Sequence, residues 1–146
     1  MEHFHGYGCH CMPDHAHFIF AGGQGPPQDI IDVNCQLLRT CYSCAQIEND
    51  HCDAHGASYS YDLNHGMDGH AHSMSNPELH AETIVCKDKP GSCARRTCEC
   101  DKRFALHAAE LHSYFSHDNH GVNFDRSTQC VKHEGHGAHF ENDCQR

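Results

Sequence analysis

The sequence predicts a mainly α, disulfide-rich protein in which two long antiparallel, disulfide-linked helices carry a small β-wing and long loops. Three observations support this fold class: twelve cysteines in 146 residues, only 38% hydrophobic residues with no tryptophan, and two stretches of helical periodicity. A core this poor in apolar side chains needs covalent support, and a native disulfide typically contributes about 2–4 kcal/mol. The even number of dispersed cysteines, without a repeated CxxC pair, favours disulfides over zinc sites.

The first helix is predicted from about Gln28 to Ile47, directly after the turn-forming run AGGQGPP (Ala21 to Pro27). Before it, residues 1–27 have the composition of an extended entry loop. The apolar side chains of this helix recur at helical spacing and define a buried face. That face consists of Ile31, Cys35, Leu38, Cys41, Tyr42 and Ala45.

The second helix is predicted from Cys93 to about Phe115. Its buried face is expected to consist of Cys93, Thr97, Cys100, Phe104, His107, Leu111 and Tyr114, which are spaced alternately by four and three residues. Between the helices, Ser58 to Leu63 alternates weakly and predicts one strand of a two-stranded wing. The polar segment 116–146 is expected to form a tail, within one domain spanning 1–146.

Charge and hydropathy exclude two classes of partner. Twenty acidic and ten basic residues give a formal charge of -10 at pH 7, which disfavours nucleic acid as a partner. The mean hydropathy is -0.71, and no apolar run approaches the length of a membrane span. Met1 is not followed by a signal peptide, so we expect a secreted, extracellular protein in a form from which any leader is missing.

Eighteen histidines are the most unusual feature of the composition. They occur mainly in the loops, and neutral imidazoles at close spacing are suitable ligands for Zn, Cu or Ni. Because imidazole titrates near pH ~6.5, the same residues would also reverse the net charge on mild acidification, and the sequence does not separate these two roles. The candidate metal ligands are His3, His5, His10, His15, His17, His65, His70, His72, His117, His120, His133, His136 and His139.

Four segments, in order, resemble the secreted phospholipase A2 family: YGCHC, GGQGPPQDIIDVNC, CYSCA and CECDKRFA. They are similar to that family's glycine-rich calcium loop, first long helix and Cys-x-Cys-Asp second helix. The resemblance covers about residues 7–130, which we expect to be the core of the domain. It departs from the family pattern in the extra residues within MPDHAHFIF and in the six residues that precede Tyr7, which leave no room for the family's N-terminal helix.

The resemblance implies a disulfide framework. It pairs Cys9 with Cys130, Cys11 with Cys35, Cys41 with Cys100, Cys52 with Cys93, and Cys86 with Cys98. Cys44 and Cys144 remain, and they pair either with each other or between molecules. A family bridge between the helices is missing here, because Asn34 and His107 occupy its two positions. The register of Cys41 and Cys100 brings those two residues opposite each other, so we expect a buried His107 imidazole bonded to Asn34.

The resemblance also locates the family's catalytic pair, a histidine general base followed by a calcium-binding aspartate. Here the matching residues are Leu38 and Arg39. Leucine cannot take up a proton, and a permanent guanidinium cation is not compatible with calcium at that place. The network that orients the family's base is retained in part as Tyr42, Tyr61 (or Tyr59) and Asp101. On this basis we expect a protein that is not an enzyme and that does not hold calcium at the family site.

The combined expectation is a non-catalytic, secreted structural or matrix protein. Its histidine-rich loops would bind transition metals or make pH-dependent contacts for self-association into an oligomer or fibre. The alternatives are a soluble metal-binding or biomineral-matrix binding module and, with less support, a calcium-dependent phospholipase.

Overall fold

The computed structural model describes residues 4–11, 23–63, 84–131 and 144. Within these residues two long helices, α1 (Ile30–Glu48) and α2 (Cys93–Leu111), flank two short strands, β1 (Tyr61–Leu63) and β2 (Ile84–Cys86). After α2 the chain forms three single-turn 3-10 segments and the short helix α3 (Arg126–Gln129). The predicted fold class, mainly α with two long helices and a small β-wing, is confirmed.

Helix α1 begins at Ile30, slightly later than predicted, because Asp29 is its N-cap. The Asp29 carboxylate accepts hydrogen bonds from the backbone N–H groups of Ile31, at 3.0 Å, and Asp32, at 3.1 Å. The buried face is the predicted one except that Cys41 is only partly buried, and it also contains two polar residues. Its buried residues are Ile31, Asp32, Asn34, Cys35, Leu38, Tyr42 and Ala45.

Helix α2 begins after Ser92, whose hydroxyl accepts from the N–H of Arg95 at 3.2 Å. Its buried residues are Thr97, Cys98, Cys100 and Phe104. The predicted face fails in the second half, where His107 is exposed and Tyr114 is 65% exposed. There Ala108, Leu111 and Phe115 pack against the core instead.

The two helices run antiparallel, since Asn34 contacts Phe104, Cys41 is bonded to Cys100, and Glu48 forms an ion pair with Arg96. The expected bond between His107 and Asn34 is not formed. Asn34 Nδ2 instead donates to the carbonyl oxygen of Phe104 at 3.3 Å. The partner lies about one helical turn before His107, because packed helices cross at an angle and their register is not constant along the interface.

The β-wing is a two-stranded antiparallel sheet with Tyr61 opposite Cys86 and Leu63 opposite Ile84. Two links fasten it to α2. Cys86 is bonded to Cys98, and Arg95 Nη1 donates to the carbonyl oxygen of Cys86 at 2.9 Å. The wing is therefore held to the helix pair although its own strands are short.

All twelve cysteines are in disulfides, and the five pairings that the resemblance implied are present. The bridges are Cys9–Cys130, Cys11–Cys35, Cys41–Cys100, Cys44–Cys144, Cys52–Cys93 and Cys86–Cys98. The open question of Cys44 and Cys144 is answered by a bridge within the chain. In the part of the chain that the structure describes, no helix has the length and apolar character to cross a membrane.

The Cys44–Cys144 bridge makes a testable prediction. Because it closes a segment of 100 residues, the double variant Cys44→Ser/Cys144→Ser should lose about 2–4 kcal/mol of unfolding free energy in denaturant titration and remain monomeric. Peptide mapping without reduction should recover the pair from monomeric wild-type protein. Recovery of either cysteine in a bridge between two molecules would contradict the assignment.

Candidate functional site

The site is built around the buried carboxylate of Asp32, in the first turn of α1. Asp32 is 0% exposed and accepts three backbone hydrogen bonds: from Cys9 at 2.8 Å, from His10 at 2.7 Å and from Gln28 at 2.9 Å. Because a buried carboxylate must have its hydrogen bonds satisfied, these donors offset its desolvation. Asp32 thereby fixes both the YGCHC segment and the chain that enters α1.

Two glycines let the loop approach these side chains. Gly8 has φ +54°, and a Cβ there would lie 2.3 Å from Asp32 Cγ, so only glycine fits beside the carboxylate. A Cβ on Gly23 would lie 2.4 Å from His10 Nδ1, 2.5 Å from Arg39 Nη1 and 2.5 Å from the Cys9 carbonyl oxygen. His10, Arg39 and the Cys9 carbonyl oxygen are therefore packed directly against Gly23, where only glycine fits.

Arg39 brings a permanent cation to the glycine-rich loop. Arg39 lies on α1, one helical turn beyond Cys35, and its side chain is half-buried. Burial lowers the pKa of Arg39, and the negative charge of Asp32 opposes that shift. A guanidinium nevertheless stays protonated in proteins, so the site contains a fixed positive charge near a fixed carboxylate.

Leu38 lies on the wall of an apolar pocket next to this cation. The other apolar parts of the wall are Phe4, Phe104 and the Cys11–Cys35 disulfide. Phe4, Leu38 and Phe104 are each less than 10% exposed, so the wall is part of the packed core and not a surface patch. His5, His10 and Arg39 are the polar side chains that line the same pocket.

His10 is held in the pocket wall by the glycine-rich loop. Its side chain is buried, and Nε2 lies 3.0 Å from the carbonyl oxygen of Gly25. Since a carbonyl oxygen only accepts, Nε2 carries the proton of this bond and Nδ1 is the unprotonated nitrogen of the neutral ring. Burial lowers the pKa of His10. Asp32 and the Gly25 bond oppose this shift, and Arg39 adds to it.

The second part of the site is a Tyr–Asp–Tyr network between the helices and the wing. The hydroxyl of Tyr42 donates to Asp101 Oδ1, and the hydroxyl of Tyr59 donates to Asp101 Oδ2 at 2.6 Å. Burial and the hydrogen bond to Asp101 raise the pKa of both tyrosines. Of the two tyrosines that the sequence offered, Tyr59 is the member of the network; Tyr61, the first choice, was wrong because it lies on β1 and is 54% exposed.

His55 lies beside this network on its outer side. Its ring meets that of Tyr42 edge-on, with the centroids 4.8 Å apart. Burial lowers the pKa of His55, with Asp53 opposing and Arg39 adding to the shift. His55 lines a cleft of about 450 Å³ that is separate from the apolar pocket, together with Gln46, Asp50, His51, Cys52, Asp53 and Gly56.

The candidate metal ligands fall into two groups. His3, His15, His17, His65, His70, His72, His133, His136 and His139 lie outside the described residues. Of the others, His10 is in the pocket wall. His5, His117 and His120 lie near one another: His120 Nε2 donates to the carbonyl oxygen of His5 at 2.8 Å, and the rings of His117 and His120 both contact Phe115. Among the described residues, no three His, Cys, Asp or Glu side chains are placed to hold a metal ion.

Sequence reasoning missed Asp32 and His55 as members of the site, and it named His10 only as a candidate metal ligand. The carboxylate of Asp32 in the first helical turn could have indicated a loop anchor. No sequence pattern indicated that His55 belongs to the site, because its contact with Tyr42 depends on the path of the chain after Cys52.

A disulfide-bonded helix pair with a glycine-rich loop at the start of α1 and a Tyr–Asp–Tyr network between α1 and α2 defines the class of phospholipase A2-like folds. Comparison with curated proteins agrees. The chain is 34% identical over 100 residues to the basic phospholipase A2 beta-bungarotoxin A1 chain of Bungarus flaviceps flaviceps, covering 68% of this chain and 51% of that protein.

Two further relatives give similar values. Identity is 33% over 106 residues to the beta-bungarotoxin A-AL4 chain of Bungarus multicinctus, covering 73% of this chain and 58% of the relative. Identity is 31% over 118 residues to the basic phospholipase A2 beta-bungarotoxin A2 chain of Bungarus caeruleus, covering 80% of this chain and 63% of the relative. No family model matches the sequence. The chain belongs to the phospholipase A2 family, and it spans about half the length of the first curated relatives that it matches.

These relatives correct one expectation. From Leu38 and Arg39 we expected a protein that is not an enzyme, but the relatives are named phospholipase A2, which is an enzyme family. The loss of one histidine–aspartate pair does not by itself show that a member of this family is inactive.

The role of Asp32 gives a prediction. Asp32→Asn puts an amide NH₂ against backbone N–H donors, so the free energy of unfolding should fall by about 2–4 kcal/mol in urea titration. The exposed residue Asp118 offers a matched control, since Asp118→Asn should change stability by less than about 0.5 kcal/mol. Equal stabilities of the two variants would show that Asp32 does not anchor the loop.

Proposed function

We propose that this chain is an extracellular member of the phospholipase A2 family that binds a lipid acyl chain in the apolar pocket and contacts the lipid's anionic group with Arg39. The single observation that supports this function is that one pocket is lined by Leu38, Phe104 and the Arg39 guanidinium. The disulfides and the extracellular use of such frameworks support the location.

The apolar wall supplies the affinity for an acyl chain. Phe4, Leu38, Phe104 and the Cys11–Cys35 bridge present carbon and sulfur to the pocket. Transfer of each methylene from water to such a surface is favourable by about 0.8 kcal/mol. Leu38 enlarges this apolar wall, because it occupies the position where the family has its histidine.

Arg39 supplies the affinity for an anionic group. Its planar fork of N–H donors matches a carboxylate or phosphate in a bidentate arrangement. Within the described residues its guanidinium makes no hydrogen bond, while its backbone carbonyl accepts from Ser43. The N–H groups are therefore available to a ligand in the pocket.

We further propose that this binding does not need calcium. A divalent cation at the loop would be repelled by the guanidinium, whose Nη1 is packed against Gly23 beside the Cys9 carbonyl oxygen. Arg39 then neutralises the charge of the anionic lipid group, as a bound metal ion would, and no metal ion is needed.

Titration with decanoate and with decanol, both in EDTA, tests this function. Wild-type protein should bind decanoate more tightly than decanol, and millimolar calcium should not change either affinity. Arg39→Gln should weaken decanoate binding about tenfold or more and leave decanol binding nearly unchanged.

The matched control is Arg103→Gln, which removes an exposed guanidinium of α2 that does not line the pocket. It should leave both affinities as in wild type. Equal affinity of wild-type protein for the two amphiphiles, or decanoate binding that requires calcium, would contradict the proposal.

A second function is favoured by the position of the histidines. We propose that the histidine-rich loops bind Zn, Cu or Ni, or make pH-dependent contacts between molecules, so that the protein self-associates as a structural or matrix component. His117 and His120 both contact Phe115, and His120 Nε2 donates to the backbone carbonyl oxygen of His5, which is distant in sequence. The alternative is a soluble metal-binding or biomineral-matrix binding module that remains monomeric.

Sedimentation velocity with and without zinc or copper, at pH 5.5 and 7.5, tests the second function. We expect larger species with metal, reversed by EDTA. The triple variant His133→Gln/His136→Gln/His139→Gln should weaken the effect, while His107→Gln, on α2, should not. A monomer under all conditions would exclude self-association. Calorimetric heat with calcium but not zinc would favour the mineral-matrix alternative.

A further inference from the structure

The apolar pocket is smaller than a long acyl chain requires. Its volume is about 60 Å³, whereas pockets that enclose a small organic ligand measure roughly 300–1,000 Å³. A chain of a few carbons needs only a small part of such a volume, but a long chain does not fit beside Leu38 and Phe104 while every lining side chain stays in place. A long chain can therefore enter only if one of those side chains leaves.

Most of the pocket wall is held by disulfides. Its residues on the glycine-rich loop, on α1 and on α2 are half-cystines or lie within about one helical turn of one. They are His10, Cys11, Cys35, Leu38, Arg39 and Phe104. Because the same bridges join the loop to α1 and α1 to α2, none of these side chains moves far without disturbing the helix pair.

The N-terminal part of the wall has no such support. Phe4 and His5 are the lining residues that precede Cys9, the first cysteine of the chain. Phe4 is 8% exposed, and its ring centroid lies 6.3 Å from that of Phe115. The Phe4 ring therefore fills space that would otherwise extend the pocket toward Phe115.

Packing holds this ring, while hydrogen bonds hold the backbone beside it. His120 Nε2 donates to the His5 carbonyl oxygen at 2.8 Å, and the N–H of Gly121 donates to the Gly6 carbonyl oxygen at 3.3 Å. Phe4 lies at the edge of this turn, and its ring can leave the pocket by rotation about its own side-chain torsions. Displacement of the ring exposes one phenyl group and breaks no disulfide.

We propose that Phe4 determines which acyl chains the pocket accepts. Its ring closes the pocket to long chains, and a long chain binds by displacing the ring and taking its place against Leu38 and Phe104. A short chain binds with the ring in place. This inference rests on the proposed lipid-binding function and adds selection by chain length to it.

The ring and a long chain compete for the same space. Because the pocket accepts a long chain only in molecules whose ring is out, the apparent affinity is reduced in proportion to the fraction of open molecules. Burial of a phenylalanine side chain shifts such an equilibrium by about ten- to a hundredfold, so the open fraction is small. A short chain does not meet this competition, and the difference between the two chains is the selectivity that Phe4 imposes.

Titration of butyrate and decanoate into wild-type protein and Phe4→Ala, both in EDTA, tests the inference. Loss of the ring should tighten decanoate binding about tenfold and change butyrate binding less than about twofold. If Phe4 were a fixed part of the wall, the same substitution would remove contacts and weaken decanoate binding. The matched control is Phe124→Ala, a partly buried phenylalanine that does not line the pocket, which should keep both affinities as in wild type.

A fluorescent reporter follows the side chain directly and does not depend on the alanine variant. The chain contains no tryptophan, so Phe4→Trp introduces a single indole at this position. Saturating decanoate should shift its emission to longer wavelength and make it more accessible to quenching by acrylamide, whereas butyrate should do neither. Emission that stays the same, or shifts to shorter wavelength, with decanoate bound would show that the side chain does not leave and would overturn the proposal.

The outcomes separate the two proposals. Decanoate binding by wild-type protein that is as tight as or tighter than binding by Phe4→Ala would overturn the role of Phe4 and leave the lipid-binding function intact. Absence of decanoate binding by both proteins would overturn the lipid-binding function itself, and the inference with it.

Discussion

The carboxylate of Asp32 holds the YGCHC loop against the start of α1. It is fully buried and accepts three backbone N–H groups, two from the YGCHC loop and one from the chain that enters α1. A carboxylate in this position stabilises the loop only if all its bonds are made, and the absence of a side chain at Gly8 is what allows them. Arg126 supports the same loop, since its Nε donates to the Gly8 carbonyl oxygen at 2.7 Å.

This anchor determines what Arg39 and His10 can do. Because the loop is fixed, the face of Gly23 is fixed too, and both side chains meet there. A cation next to a buried carboxylate resembles a metal site in charge but not in geometry: its donors are directional N–H groups and its charge is permanent. The proposed lipid-binding function follows from that difference, since a guanidinium can bind an anionic group without any ion from solution.

The fold was predictable from sequence because cysteines and helical periodicity determine it locally. The existence and approximate spans of the two helices needed only residue types and spacing, whereas the N-cap at Asp29 was not predicted. His107 and Tyr114 were placed on the wrong face because the helix crossing angle, which a linear register does not contain, decides which side chains meet in the second half of α2. Tyr61 was placed before Tyr59 because the sequence does not show where β1 begins: Tyr59 precedes the strand and reaches Asp101, whereas Tyr61 is the first residue of the strand and is exposed.

The sequence predicted only those residues of the site that match positions in the family's motifs. Leu38, Arg39, Tyr42 and Asp101 were identified in this way, whereas the contact of His10 with Arg39 depends on the conformation of a glycine-rich loop. The expectation that the chain is not an enzyme rested on Leu38 and Arg39 alone, and it is contradicted by curated relatives that are named phospholipase A2.

The most direct test of the account is a crystal structure of the protein grown with both calcium and decanoate. The account predicts a carboxylate paired with the Arg39 guanidinium, its chain against Leu38 and Phe104, and no calcium at the glycine-rich loop. A calcium ion bound at that loop with the guanidinium turned away from the pocket would contradict it.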